Sequence, residues 1–163
     1  MNNKEKTDPK FIADEMLGKL AKWLRTIGYD TVYYKNGSDN GLVQRALEED
    51  RIILTRDTRL VERKLARKSF LIKSDETWEQ LKEVIDGFGL DATNKLFTRC
   101  IVCNEELLSA SKSDVRGNIP IYTYLTHTEF SVCPKCRRIY WSGTHRDNML
   151  NLISSFVSKK IDV

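Results

Sequence analysis

The chain has 163 residues, enough for one domain with a buried core or for a domain plus a small appended module. Charged residues make up 31% of it, but the net charge of +4 is mild, so the distribution of charge carries more meaning than its sum. No apolar run approaches membrane-spanning length, and the polar start "MNNKEKTDPK" lacks the apolar core of a signal peptide. The expectation is therefore a cytoplasmic protein without a membrane partner, whose thiols stay reduced.

In chain order, residues 1–9 read as a disordered tail. "KFIAD" is a short apolar strand ending in Asp14. Met16, Leu17, Leu20, Leu24 and Ile27 recur at helical spacing, and Gly28 supplies a left-handed stop. "TVYY" is a second strand, and "KNGSDNG" is a turn leading into the helix "LVQRALEED". "RIIL" is a third strand closed by "TRD". A basic helix is expected at about 58–68, then the strand "FLIK" and the helix "TWEQLKEVIDGF". Strands alternating with helices over residues 10–95 predict an α/β sandwich on a parallel sheet, and apolar strands are what a sheet covered on both faces requires. "GLDATN" reads as a linker. Residues 96–147 are rich in cysteine pairs and β-formers ("IPIYTYL", "EFSV", "RIYW"), and residues 148–163 form a helix with Met149, Ile153, Phe156 and Val157 on one stripe.

All four cysteines stand as two CxxC pairs, Cys100/Cys103 and Cys133/Cys136. Tetrahedral Zn²⁺ takes four thiolate or imidazole ligands, and two such knuckles supply four, so the pattern predicts a structural zinc ribbon. Residues 104–132, 29 in all, leave room for an excursion between the knuckles. Asn104 suits the tight turn after the first pair because asparagine tolerates positive φ, and Arg137 suits the second less well. Four sulfurs close the site, which leaves His145 as a packed neighbour rather than a ligand.

Asp14 follows the first strand and Asp57 the third, and ligands of open parallel sheets gather at those carboxyl ends. Asp39, in the turn opening the second helix, and Asp75, after the fourth strand, can reach the same edge. Each alone reads as a helix N-cap. As a set, converging carboxylates repel one another and would hold a hard cation, Mg²⁺ or Mn²⁺, which can promote phosphodiester hydrolysis. Lys19, Lys22, Arg25, Arg56 and Arg59 flank this mouth and would track a phosphate backbone. From Arg56 to Lys73 the chain carries seven basic residues against Asp57 and Glu62, a local excess of five positive charges.

"DEMLGKLAKWLRTIGYD", "ILTRD" and "CIVCNEEL…CPKCRRIYWSGTH" resemble, in that order, the Mut-seven C-terminal RNase domain family. The resemblance implies a PIN-like nuclease fold joined to a C-terminal zinc ribbon and an activity on RNA, expected to be single-stranded. It implies that Asp14, Asp39 and Asp57 are the successive acidic positions, with Thr55 beside the site and Asp75 near the fourth. After Asp39 the sequence has "NGL" where members often carry further acids, which leaves one or two ions open.

Two other readings fit parts of the pattern. A receiver domain also places acids after strands one and three, but has no use for a basic "TRDTR" loop or a zinc ribbon. A non-catalytic RNA-binding adaptor would use the basic helices and stack bases on Tyr122, Tyr124, Phe130, Tyr140 or Trp141; a small β core explains those aromatics equally.

Overall fold

The computed structural model describes residues 7–158, apart from the side chains of His145, Phe156, Val157 and Ser158. Most of the expected N-terminal tail (residues 1–6), residues 159–163 of the expected C-terminal helix and those four side chains lie outside the described residues. Strands β1 (Phe11–Ala13), β2 (Thr31–Tyr33), β3 (Ile52–Thr55) and β4 (Ser69–Leu71) form one parallel sheet in the order β2-β1-β3-β4. Between and after them run α1 (Gly18–Thr26, entered through a 3₁₀ turn at Glu15–Leu17), α2 (Asp39–Glu48), α3 (Thr58–Val61) and α4 (Thr77–Phe88). This is the α/β sandwich expected from the alternation of elements, and it is consistent with the PIN-like fold that the resemblance implies.

Every residue of β1 is buried because the sheet is covered twice. Phe11, Ala13 and Leu54 join the α1 and α4 side chains in one core; Ile12 and Ile53 face a second core with Leu42, Val43 and Ala46 of α2. That split is the period-2 alternation of a strand read into two layers. Gly28, with φ +93°, ends α1, and a Cβ there would stand 2.3 Å from the Lys95 carbonyl oxygen. The close approach lets the segment after α4 run back across the end of α1, where the Phe97 N–H donates to the Thr26 carbonyl at 2.8 Å.

A separate antiparallel sheet follows, in the order β5 (Leu108–Ala110), β6 (Phe130–Val132), β7 (Ile139–Trp141). The excursion between β5 and β6 holds two short helices, α5 (Lys112–Val115) and α6 (Ile121–Thr126). The last helix, α7 (Thr144–Ser158), begins four residues before the expected start and returns to the large domain, where Ile153 is buried in the α1/α4 core. Burial of one such side chain is worth about 2 kcal/mol. Among the described residues no helix is long and apolar enough to cross a membrane.

Three expectations change. The basic helix of 58–68 is helical only over Thr58–Val61. Its buried anchors, Leu60 and Ala66, are six residues apart rather than the three or four of a helical face, and Arg63, Lys64, Arg67 and Lys68 would crowd like charges along a continued helix. "IPIYTYL" forms α6 instead of a strand. Met16 is 70% exposed rather than part of the buried stripe, because the chain is still in the 3₁₀ turn there.

Candidate functional site

The carboxyl ends of β1 and β3 bring Asp14, Thr55 and Asp57 together. Asp14, in extended conformation, caps the 3₁₀ turn: one carboxylate oxygen accepts from the Glu15 N–H at 2.6 Å. The other accepts from the Thr55 hydroxyl at 2.8 Å. Thr55 is fully buried, and its Oγ also accepts from the Asp57 N–H at 3.0 Å. One hydroxyl therefore ties the first acid to the loop carrying the third. Asp57 caps α3 by accepting from the Arg59 N–H at 2.8 Å. Beside the mouth, the Tyr33 hydroxyl donates to the Glu15 carbonyl at 2.8 Å. Gly18 makes room for that ring, since a Cβ there would meet it at 2.9 Å.

Asp39 lies in the first turn of α2, with Ser38 rather than the aspartate acting as N-cap. Its carboxylate accepts from Arg63 at 2.9 Å, and Arg63 also donates to the neighbouring Asn40 at 2.8 Å. Asp75 is paired with Arg56, whose Nε is buried without a partner. Among the described residues, no three carboxylates come together as the four thiols do. The oxygen donors suit a hard cation held by one or two carboxylates with water completing the shell, the usual manner of Mg²⁺.

Of the expected phosphate contacts, Lys19, Lys22 and Arg59 are exposed and Arg56 is half-buried. Arg25 is a correction. It is only 7% exposed, and its Nε donates to the Thr31 carbonyl at 2.8 Å. One of its terminal nitrogens donates to the Ile101 and Val102 carbonyls at 2.9 and 3.1 Å. Burial draws its guanidinium below the ordinary value, opposed by the charges of Cys100, Cys103 and Asp30. Arg25 holds the first cysteine knuckle against the sheet instead of facing phosphate.

Asn104 completes that junction. Its side-chain oxygen accepts from the Thr31 N–H at 2.9 Å, and its amide nitrogen donates to Asp30 at 2.6 Å. Asp30 also accepts from Arg51 at 2.6 Å, and Arg51 donates to the Phe11 carbonyl at 3.2 Å. Burial raises the Asp30 carboxyl, but the hydrogen bonds from Arg51 and Asn104 outweigh it and hold it below the usual range. These groups stand at the amino ends of β1, β2 and β3, so the knuckle docks at the end of the sheet opposite Asp14 and Asp57. The sequence marked Asn104 only as a turn residue and left Asp30 and Arg51 without a role. A polar residue that satisfies a distant backbone group carries no local signal.

The two knuckles repeat one geometry. Asn104 and Arg137 have φ of 68° and 63°, and their N–H groups donate to the Cys100 and Cys133 carbonyls at 2.9 and 3.0 Å. The Cys103 and Cys136 N–H groups each reach the preceding cysteine sulfur at 3.5 Å. All four sulfurs lie within 4.8 Å of one another. Neighbouring pairs at 3.3, 3.4 and 3.7 Å approach the about 3.8 Å that tetrahedral thiolates adopt at a Zn–S bond of about 2.3 Å. The four thiols therefore fit zinc. The Tyr140 hydroxyl sits 3.1 Å from the Cys100 sulfur. Burial raises the Cys100 thiol, yet hydrogen bonds from Tyr140 and from backbone N–H groups bring it down to about 6. Burial and the crowding sulfurs push Cys103 up to about 12. Repulsion among sulfurs is what a divalent cation relieves.

The sequence model of the family described as Mut7-C RNAse domain matches residues 9–153, which include both the acidic mouth and the thiol cluster. Among curated proteins, none matches the chain.

Proposed function

The chain belongs to the Mut7-C RNAse domain family, and from that premise we propose that it is a metal-dependent ribonuclease hydrolysing phosphodiester bonds of single-stranded RNA. The observation that carries the reading is the Thr55 hydroxyl, which links Asp14 to the Asp57 loop at the carboxyl edge of the sheet. Asp14 and Asp57 would hold Mg²⁺ or Mn²⁺, with Asp39 and Asp75 reaching it from the rim. A cation there supplies polarisation of the phosphoryl group and a more acidic water. Thr55 fixes the rotamer of Asp14, and the α3 cap fixes Asp57, so neither carboxylate has to be ordered when substrate arrives. Lys19, Lys22 and Arg59 neutralise the phosphates on either side of the scissile bond. Zinc on Cys100, Cys103, Cys133 and Cys136 is structural, because four sulfurs leave no open position.

The test is cleavage of labelled single-stranded RNA in Mg²⁺ or Mn²⁺ by wild type, Asp57→Asn and Asp14→Asn, with zinc content measured alongside. Each substitution should reduce the rate by about 100-fold or more at unchanged zinc content. Cleavage that persists in both variants places the chemistry elsewhere. The ion pairs Asp39–Arg63 and Asp75–Arg56 favour a second reading, in which the acids are neutralised and the protein binds RNA without cutting it. That reading expects wild type to bind and not cleave in the same assay.

A further inference from the structure

The appended module carries a groove of ≈ 600 Å³ between β7 and the turn that joins α5 to α6. Asn118, Pro120, Arg137, Arg138, Tyr140 and Trp141 are among its lining residues. Its size is that of a small-ligand site. The second knuckle builds one wall: the left-handed turn at Arg137 places two consecutive arginines beside β7, the outer strand of the small sheet. Both arginines are exposed, and neither guanidinium makes a hydrogen bond or ion pair with the described residues. Trp141 is 39% exposed, while Tyr140 is fixed by its hydroxyl on Cys100. Asp114, the acid lining the groove, is committed to the Ser111 N–H and hydroxyl at 2.8 and 2.6 Å.

We propose that this groove is a binding subsite for one unpaired nucleotide of single-stranded RNA, with Arg137 and Arg138 on phosphate and Trp141 stacked on the base. Two free guanidinium forks beside an open indole match an anion joined to a flat ring. An acidic peptide would satisfy the arginines and leave the indole unused. The proposal rests on the ribonuclease reading for the identity of its ligand. Because the first knuckle docks at the sheet end away from Asp14, the groove acts as a remote anchor on the strand rather than as part of the cleavage mouth.

Affinity for a labelled 20-nucleotide single-stranded RNA is measured by fluorescence anisotropy with no divalent cation added, so that binding is read independently of cleavage. The variants are Arg137→Asn with Arg138→Gln, and Trp141→Ala with Trp141→Phe as its conservative control; asparagine keeps the left-handed turn accessible at 137. Zinc content equal to wild type confirms that the module is folded. The double arginine variant should flatten the slope of log affinity against log salt by about 1.4, two phosphates of a single strand. Trp141→Ala should bind about tenfold more weakly, with Trp141→Phe restoring most of the loss. A base-paired duplex of the same sequence should lose the Trp141 dependence. Unchanged affinity in the zinc-loaded variants, no binding by wild type, or equal displacement by a glutamate-rich peptide of the same charge would overturn the groove assignment. Loss of binding in the variants together with absence of cleavage by wild type would uphold the groove and remove the ribonuclease reading instead.

Discussion

The two ends of the parallel sheet use the same residue types to opposite purposes. At the carboxyl end, Asp14 and Asp57 accept from nearby backbone N–H groups, Asp14 accepts also from the Thr55 hydroxyl, and Asp39 and Asp75 pair with arginines at the surface. At the amino end, Arg25, Asp30, Arg51 and Asn104 form a largely buried network that satisfies the Thr31 N–H and the carbonyls of Phe11, Thr31, Ile101 and Val102. The difference comes from what covers each end. A cysteine knuckle closes the amino edge, so its charges must be paired within the protein. The carboxyl edge has no such cover among the described residues, and its acids remain partly or fully exposed to solvent. Charge alone does not distinguish an anchor from a site.

The comparison breaks most sharply at Arg25. Arg25→Ala leaves three carbonyls without their donor and should cost about 3 kcal/mol in urea unfolding, whereas Lys22→Ala, one turn away and exposed, should change stability by less than about 0.5 kcal/mol. Equal effects would mean that the knuckle is not held by this arginine. Removing zinc with a strong chelator comes next. By hydrogen exchange, the Thr31 amide, which donates to Asn104, should lose protection by about tenfold or more, about 1.4 kcal/mol. The Asp14 amide, which donates to Leu54 at 3.0 Å, should keep its protection. Matching losses would show that the two ends form one cooperative unit.

Acid sharpens the contrast further. The Asp30 carboxyl is depressed in the folded protein, so its contribution is present above the unfolded value of about 3.9 and is lost as the pH falls through the lower folded value. The unfolded chain takes up that proton first. Wild type should therefore lose stability more steeply below about pH 4 than Asp30→Asn, as read from urea midpoints; parallel slopes would remove Asp30 from the network. The smallest effect belongs to the other end. Arg63→Ala breaks an exposed pair with Asp39 and should cost less than about 1 kcal/mol.

Much of the architecture was legible because local pattern and tertiary role agreed. The helix "TWEQLKEVIDGF" appears as Thr77–Phe88, ended by Gly89 in the left-handed conformation. The paired CxxC turns close as their spacing requires, and positive φ at Asn104 follows from its residue type. At the acidic edge, chain order alone placed Asp14 after the first strand and Asp57 after the third; the sheet order makes those strands neighbours. The Thr55 link between them depends on β1 pairing with β3 in a particular register, Ala13 opposite Leu54. "IPIYTYL" misled because β-branched and aromatic residues favour strands only where a sheet offers them a half-buried face. Here β5 and β6 already pair with each other, and the segment after Pro120 coils with Thr123 buried.

What the sequence determined by itself was whatever depends on neighbours along the chain: periodic burial, glycine stops, thiol pairs and the positions of acids at strand ends. Tertiary structure alone decided which charges remain available. Arg25 follows Lys22 on the same helix and carries the same sign, yet one faces solvent and the other is enclosed by a loop 76 residues away in sequence. A guanidinium's fate turns on whether unsatisfied carbonyls arrive beside it, and that arrival is a property of packing, which has no local signature.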